Sequence, residues 1–375
     1  MTVVKPPDDL GQARPGMRSC PKGIGVMVAS AARVPQTLGR EPWRDSWPHR
    51  EDFMFHTLRA AIAAVFTLSG CAAVAQEAWP TRAVTVVVPF AAGGNADTLA
   101  RIYAERMSAR LGQQFIIENR AGAGGVTGVA AMAKATPDGY TLGVGTASGL
   151  ASNPVIMKEK MPYDAGKDIA YLHLMASQPN LLVVHPSVPA KNLSEFVAWL
   201  KANPDQAYAT SGIGSSQHLC GEMLIQQTGI KMSPVAYRAS NQTMQDLVAG
   251  QVKIACDNFS TAWEQAKANN VRAIAVTSAK RYPFAPDVAT FAETLPGFEV
   301  TAWFGWIAPA GVPKPILDKA IAELNAVGKE PDVKKRLDAL AVEISGVHGA
   351  AFAELARKDR EMFAPIVEKA GIKAP

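Results

Sequence analysis

Apolar positions follow no sustained period over residues 1–53, where Pro, Gly and Arg interrupt each short run, as in Pro6 to Leu10 (PPDDL) and Glu41 to Arg50 (EPWRDSWPHR). The pattern changes at Met54. A short basic start, Met54 to Arg59, leads into an uncharged apolar run, Ala60 to Ser69, and then into the small residues Ala73-Val74-Ala75. That order is the order of a secretory signal peptide. The run is too short for a bilayer, which takes about 20 residues. Residues 54–75 are therefore expected to direct export, and residues 1–53 to lie outside the mature protein. Leu68-Ser69-Gly70-Cys71 also fits a lipobox, which leaves open a lipoprotein anchored through Cys71. Either way the body is expected to work outside the cytoplasm.

From residue 76 onward the pattern is strand, Gly-rich turn, helix, repeated. Val84 to Val88 is a β-branched run apolar on both faces, as a buried parallel strand requires. Phe90 to Asp97 is a small-residue turn, and Thr98 to Leu111 has helical spacing. Phe115 to Glu118, the turn Arg120 to Gly128, a helix over Val129 to Ala135 and a strand over Tyr140 to Val144 repeat the unit. A second set starts near Gln178. It comprises strands at Leu181 to Val184, Gln206 to Thr210, Val252 to Ala255 and Val271 to Thr277. Its helices start at Asn192, with Glu195 completing a capping-box pattern, and after Ser211 to His218. From Pro313 the tail is helical, with a long helix over Phe352 to Ala370. Alternating strands and helices predict an α/β fold with mostly parallel sheets. Two sets of units predict two domains. Residues 76–178 plus 300–375 are expected to form the first and residues 179–299 an inserted second, joined near Met175–Pro179 and Val300–Ala302.

Composition narrows the function. With 48% hydrophobic and 19% charged residues, the 375-residue chain can build sizeable cores. Its net charge of +5 is concentrated at the start: residues 1–75 hold 9 basic and 6 acidic residues, so the rest carries +2. A nearly neutral body argues against nucleic acid as a partner. No later stretch reaches about 18 uninterrupted apolar residues, so no membrane helix is expected. Only Cys220 and Cys256 belong to the body. In an oxidising compartment they either bridge or remain buried thiols, and they are too few for a structural zinc site.

Catalytic motifs fail on spacing. Gly122 to Gly128 reads G-x-G-x-x-x-G rather than the dinucleotide fingerprint, and the chain has no Walker motif. Gly145-Thr-Ala-Ser-Gly149 and Gly212-Ile-Gly-Ser-Ser216 both miss the nucleophile elbow. No cofactor and no metal is expected. His218 beside a serine-rich turn is either a general base or a packing residue at a helix start. Arg238 either faces an anionic ligand or is structural. Trp303, Phe304 and Trp306 are read as core at a crossover between domains, or as one side chain lining a cleft. In open parallel sheets the Gly-rich turns gather at the carboxyl edge, where helix N-termini favour anions.

Taken in order, nine segments resemble the Bug-type receptors, the extracytoplasmic solute receptors of the tripartite tricarboxylate transporter family. They are Trp79 to Val84, Val88 to Asp97, Glu118 to Gly125, Pro137 to Leu142, Met161 to Asp164, Ser211 to Leu219, Asp246 to Val252, Ala275 to Arg281 and Ala308 to Pro313. The resemblance spans nearly the whole body. It implies a two-domain periplasmic-binding-protein (Venus flytrap) fold, a small carboxylated solute held in the cleft, no enzyme activity, and delivery to membrane permease subunits of a tripartite transporter; a periplasmic ligand sensor for a signalling partner, or a hydrolase on a similar scaffold, is the alternative. Carried over, the binding residues are Phe90, Ala92, Gly93, Gly94, Asn95 and Asp97 in the first loop and Thr146 and Ser148 after the third strand. Opposite them stand Ser211, Gly212, Ser215, Gln217 and His218, with Asp257 approaching the cleft. Because neither loop carries Lys or Arg, backbone N–H groups are expected to supply most of the attraction, and Arg238 only a modest part. One turn departs from the pattern: the family commonly has Lys-Gly after the tyrosine, with Pro and Ala further on, where this chain has Arg238-Ala239, Gln242 and Thr243. Solute preference therefore does not transfer.

Overall fold

Strand β1 (Val84–Val88) lies between β2 (Phe115–Asn119) and β3 (Thr141–Thr146), parallel to both. Its continuous apolar run is explained by burial on both faces, with Val84, Val86 and Val88 fully buried. Helix α1 (Asn95–Leu111) follows β1 and buries Leu99, Ile102, Tyr103 and Met107 against this sheet. Gly112 ends it in the left-handed region at φ 68°, its N–H donating to Ser108 O (3.0 Å). Helix α2 (Val126–Ala133), a π-helical turn (Ser148–Ser152) and helix α3 (Asn153–Met157) complete the first half of the chain. These are features of a computed structural model, which describes residues 79–373. The expected signal peptide at 54–75, Cys71 and residues 1–53 lie outside the described residues.

Strand β4 (Ile169–Val184) changes partners along its length. Ile169 to Pro179 pair antiparallel with β9 (Thr301–Pro309), and Asn180 to Val184 pair with β7 (Ile254–Asn258) and β8 (Arg272–Val276). Beyond β7 come β5 (Gln206–Thr210) and β6 (Met232–Ala236), both parallel. Helices α4 (Leu193–Ala202), α5 (Ser216–Thr228), α6 (Ser240–Val248) and α7 (Phe259–Lys267) connect these strands. Asn192 caps α4, its side chain accepting from Glu195 N, as its spacing predicts. The chain closes with α8 (Lys314–Gly328), α9 (Pro331–Ala339), the short strand β10 (Glu343–Ile344) paired to β4, and α10 (Gly349–Lys369).

The sheet is mixed rather than mostly parallel. The βαβ units on its flanks are parallel, whereas β4 and β9 run antiparallel to each other and to their other partners. The reason is topological: β4 carries the chain out of the first set of units and β9 brings it back beside the outgoing strand. Cys220 on α5 and Cys256 on β7 are disulfide-bonded, with Cα atoms 6.4 Å apart.

Candidate functional site

The carboxyl ends of β1, β3, β5, β6 and β7 all feed turns that meet at one narrow cavity. Four helix starts face it: Gly94 to Ala96 at α1, Ser215 to Gln217 at α5, Ala239 and Ser240 at α6, and Asn258 at α7. Phe90, Thr146 to Ser148, Ser211 and the β9 residues Ala302 to Phe304 complete the walls. No residue in this lining carries a formal charge. Helices α1 and α6 begin without a side-chain cap, whereas at α7 Gln178 Oε1 accepts from Ser260 N (2.8 Å). Their first-turn N–H groups have no intrahelical acceptor, and the helix dipoles add positive potential there.

Each wall is held from behind. Asp97 is buried and does not line the cavity. One of its oxygens, Oδ2, accepts from Gly93 N (2.9 Å) and Arg101 Nε (2.9 Å), and the other, Oδ1, from Asn119 Nδ2 (3.0 Å). Burial would raise its pKa, but these donors outweigh it and the carboxyl is held below its ordinary value. Asn119 also donates to Phe90 O (3.0 Å), so Asp97 and Asn119 together shape the first loop. After β3, the Thr146 and Ser148 hydroxyls pair at 2.9 Å. Tyr163 donates to Gly149 O (2.6 Å) and Arg360 of α10 to Leu150 O (2.8 Å), fixing that turn from outside. Trp303 is held through its indole N–H, which donates to Asp359 Oδ2 (2.6 Å).

On the facing side a hydrogen-bond chain links three turns. Ser211 Oγ donates to Gln217 Oε1 (2.7 Å), and Gln217 Nε2 donates to Asp257 Oδ1 (3.0 Å) and Ser240 Oγ (3.2 Å). His218 lies behind its turn. Its Nδ1 accepts from Gly214 N (3.2 Å), and burial pushes its pKa down to about 4, so the ring is neutral at pH 7. That geometry makes it a brace for the turn rather than a base facing the cavity.

Of the residues expected at the site, Phe90, Gly94, Asn95, Thr146, Ser148, Ser211, Ser215 and Gln217 line the cavity. Ala92 and Gly93 sit on the outer, exposed side of their loop. Gly212 faces an adjoining cleft, and Asp97, His218 and Asp257 stand behind the walls. They were drawn in by residue type or by position in a loop; the fold uses them to hold backbone in place. Ser216 and Asn258 belong to segments expected to approach the cleft, and Trp303 and Phe304 line it rather than only filling a core, whereas Ser240 and Ala302 were not anticipated. The signal available for Ser240 was position, since it sits at a helix start following a strand.

Asp257 is fully buried, and its Oδ2 has no hydrogen-bond partner among the described residues. Burial pushes its carboxyl up to about 6, against the pull of Ser240, Gln217 and the Asn258 N–H. The folded state therefore keeps a proton that the unfolded chain, at an ordinary 3.8, releases. Stability falls as pH rises between those two values and stays lower above them. Asp257→Asn keeps the acceptor for Gln217 and removes the ionisation. Urea unfolding should find the variant more stable than wild type above pH about 6 and equal to it near pH about 3.5. Equal differences at both pH values would contradict this.

A cleft at the carboxyl edges of two βαβ sets, walled by helix starts and floored by the strand that returns between them, defines a two-domain α/β solute-binding protein of the periplasmic type. The match to known proteins is specific. Residues 99–372 match the family described as tripartite tricarboxylate transporter family receptor, and the chain belongs to that family. It is similar to the periplasmic binding protein BugD, at 34% identity and a TM-score of 0.75 over 79% of this chain and 99% of that one. A Rhodopseudomonas palustris protein solved with adipate is 33% identical, with a TM-score of 0.75 over 79% and 99% of the two chains. MatC from Rhodopseudomonas palustris, solved with malate, is also 33% identical, with a TM-score of 0.73 over 77% and 100%. Extracytoplasmic solute reception is thus the function of the class to which this chain belongs.

Proposed function

We propose that the protein captures a small carboxylated solute in the cavity and hands it to the membrane permease subunits of a tripartite transporter, without chemical change to the solute. The observation that carries this reading is the charge-free cavity ringed by helix starts, two of them uncapped. Such a site suits an anion through N–H groups and hydroxyls. The adipate and malate bound to the two relatives fit the same chemistry. Binding rather than catalysis accords with His218, whose Nδ1 is already engaged by Gly214. In this reading residues 54–75 direct export to the periplasm. Residues 76–178 plus 300–375 and residues 179–299 are the two lobes that close on the solute.

A thermal-shift screen of carboxylates tests the proposal. A solute present at 100 times its Kd should stabilise the protein by about 2.7 kcal/mol. If no carboxylate moves the melting point while a panel of hydrolase substrates is turned over, the receptor reading falls.

A further inference from the structure

A second chamber adjoins the charge-free cavity and shares Phe90 and Ser211 with it. It has about 960 Å³ of empty space, part of it open to solvent. Met157, Ile213 and Tyr237 give it apolar walls, and Arg238 is the one charged residue in either lining. The Arg238 backbone is pinned: its N–H donates to Gln242 Oε1 (3.2 Å), and its carbonyl accepts from Ala91 N (3.4 Å) in the opposite loop. Among the described residues its exposed guanidinium has no ion-pair or hydrogen-bond partner. Asn153 closes the far side, its Nδ2 donating to Gly124 O (3.4 Å) and Ile213 O (3.3 Å).

We infer that this outer chamber is a tail subsite, and that Arg238 selects solutes whose apolar tail ends in a second anionic group. The inference rests on the receptor reading above, which places the first carboxylate in the inner cavity. The inner cavity supplies donors without charge and so cannot discriminate one tail from another. The outer chamber supplies an apolar passage and then an unpaired cation, which does discriminate. Because Arg238 is exposed, its ion pair is screened by salt and worth about fivefold in affinity. It therefore acts on preference rather than on binding as such.

The test is calorimetry with glutarate, adipate, pimelate and suberate, each against the monocarboxylate of the same chain length. Wild type, Arg238→Ala and Arg238→Lys are compared at low and high salt, with melting temperatures confirming that the variants fold. Wild type should prefer the diacids, and Arg238→Ala should lose about fivefold for diacids and nothing for monoacids. Arg238→Lys should restore part of the preference, and high salt should shrink it in wild type. Equal losses for both series, or a diacid preference that survives in Arg238→Ala, would overturn the inference. If wild type binds no acid of either series while another carboxylate raises its melting point, the tail subsite falls and the receptor reading stands.

Discussion

Replacing Gly94 by Leu should abolish solute binding in a protein that still folds. Gly94 lies at φ −81°, ψ 173°, open to any residue, so the backbone takes a side chain without strain. The obstacle is space. A Cβ at this position would stand 3.1 Å from the Ala239 side chain across the cavity. The three further carbons of Leu would extend into the volume the solute needs, beside the first N–H groups of α1. The loop behind is held independently by Asp97 and Asn119, so damage should stay local. Calorimetry on the variant should detect no binding, with unfolding by urea close to that of wild type. Affinity within a few-fold of wild type would place the solute elsewhere.

Removing the Cys220–Cys256 bridge should cost stability more than function. The bridge closes a 36-residue interval, so on the chain-entropy account its loss costs about 3–4 kcal/mol. It ties α5 to β7, both buried at that point, and both elements end in the cavity wall, at Ser216 and Gln217 and at Asn258. The hydrogen bonds of Gln217 to Asp257 and Ser240 join the same elements on the cavity side. The double variant Cys220→Ser with Cys256→Ser should therefore unfold at markedly lower urea yet bind solute nearly normally when folded. A double variant as stable as wild type would show that the bridge does not form.

What could be read from the chain beforehand was local. The β-branched run Val84 to Val88 and the helical spacing after it were legible, as was Gln206 to Thr210, because each carries its own period. What could not be read depends on partners distant in sequence. Only Leu181 to Val184 of the long β4 looked like a strand. Its earlier residues include His173, Ser177, Gln178 and Pro179, which break the pattern and are held by pairing with β9. Strand β9 itself reads as an aromatic cluster, because burial on both faces erases alternation. Strand β6 contains Pro234 and is largely exposed at the sheet edge, so it carries little apolar signal. At the site, residue type misled. Asp97, His218 and Asp257 carry chemistry but serve as props, while Ser240 and Asn258 matter through their places at helix starts.

The cavity floor has a thermodynamic consequence of its own. Ala302 and Trp303 line the cavity and are paired with Gln178 and Ser177 of β4, so the floor moves as one piece with the first set of units. If the two lobes close as proposed, a contact between solute and floor is available whether the cleft is wide or narrow. It contributes affinity equally to both arrangements and shifts the balance between them not at all. Contacts that bridge the helix start at Gly94 to Ala96 and those at Ser216 and Ser240 exist only when the cleft is narrow. Those bridging contacts alone can drive closure. On the receptor reading proposed above, a compound that grips the floor but is too short to bridge would occupy the cavity tightly and leave the cleft wide.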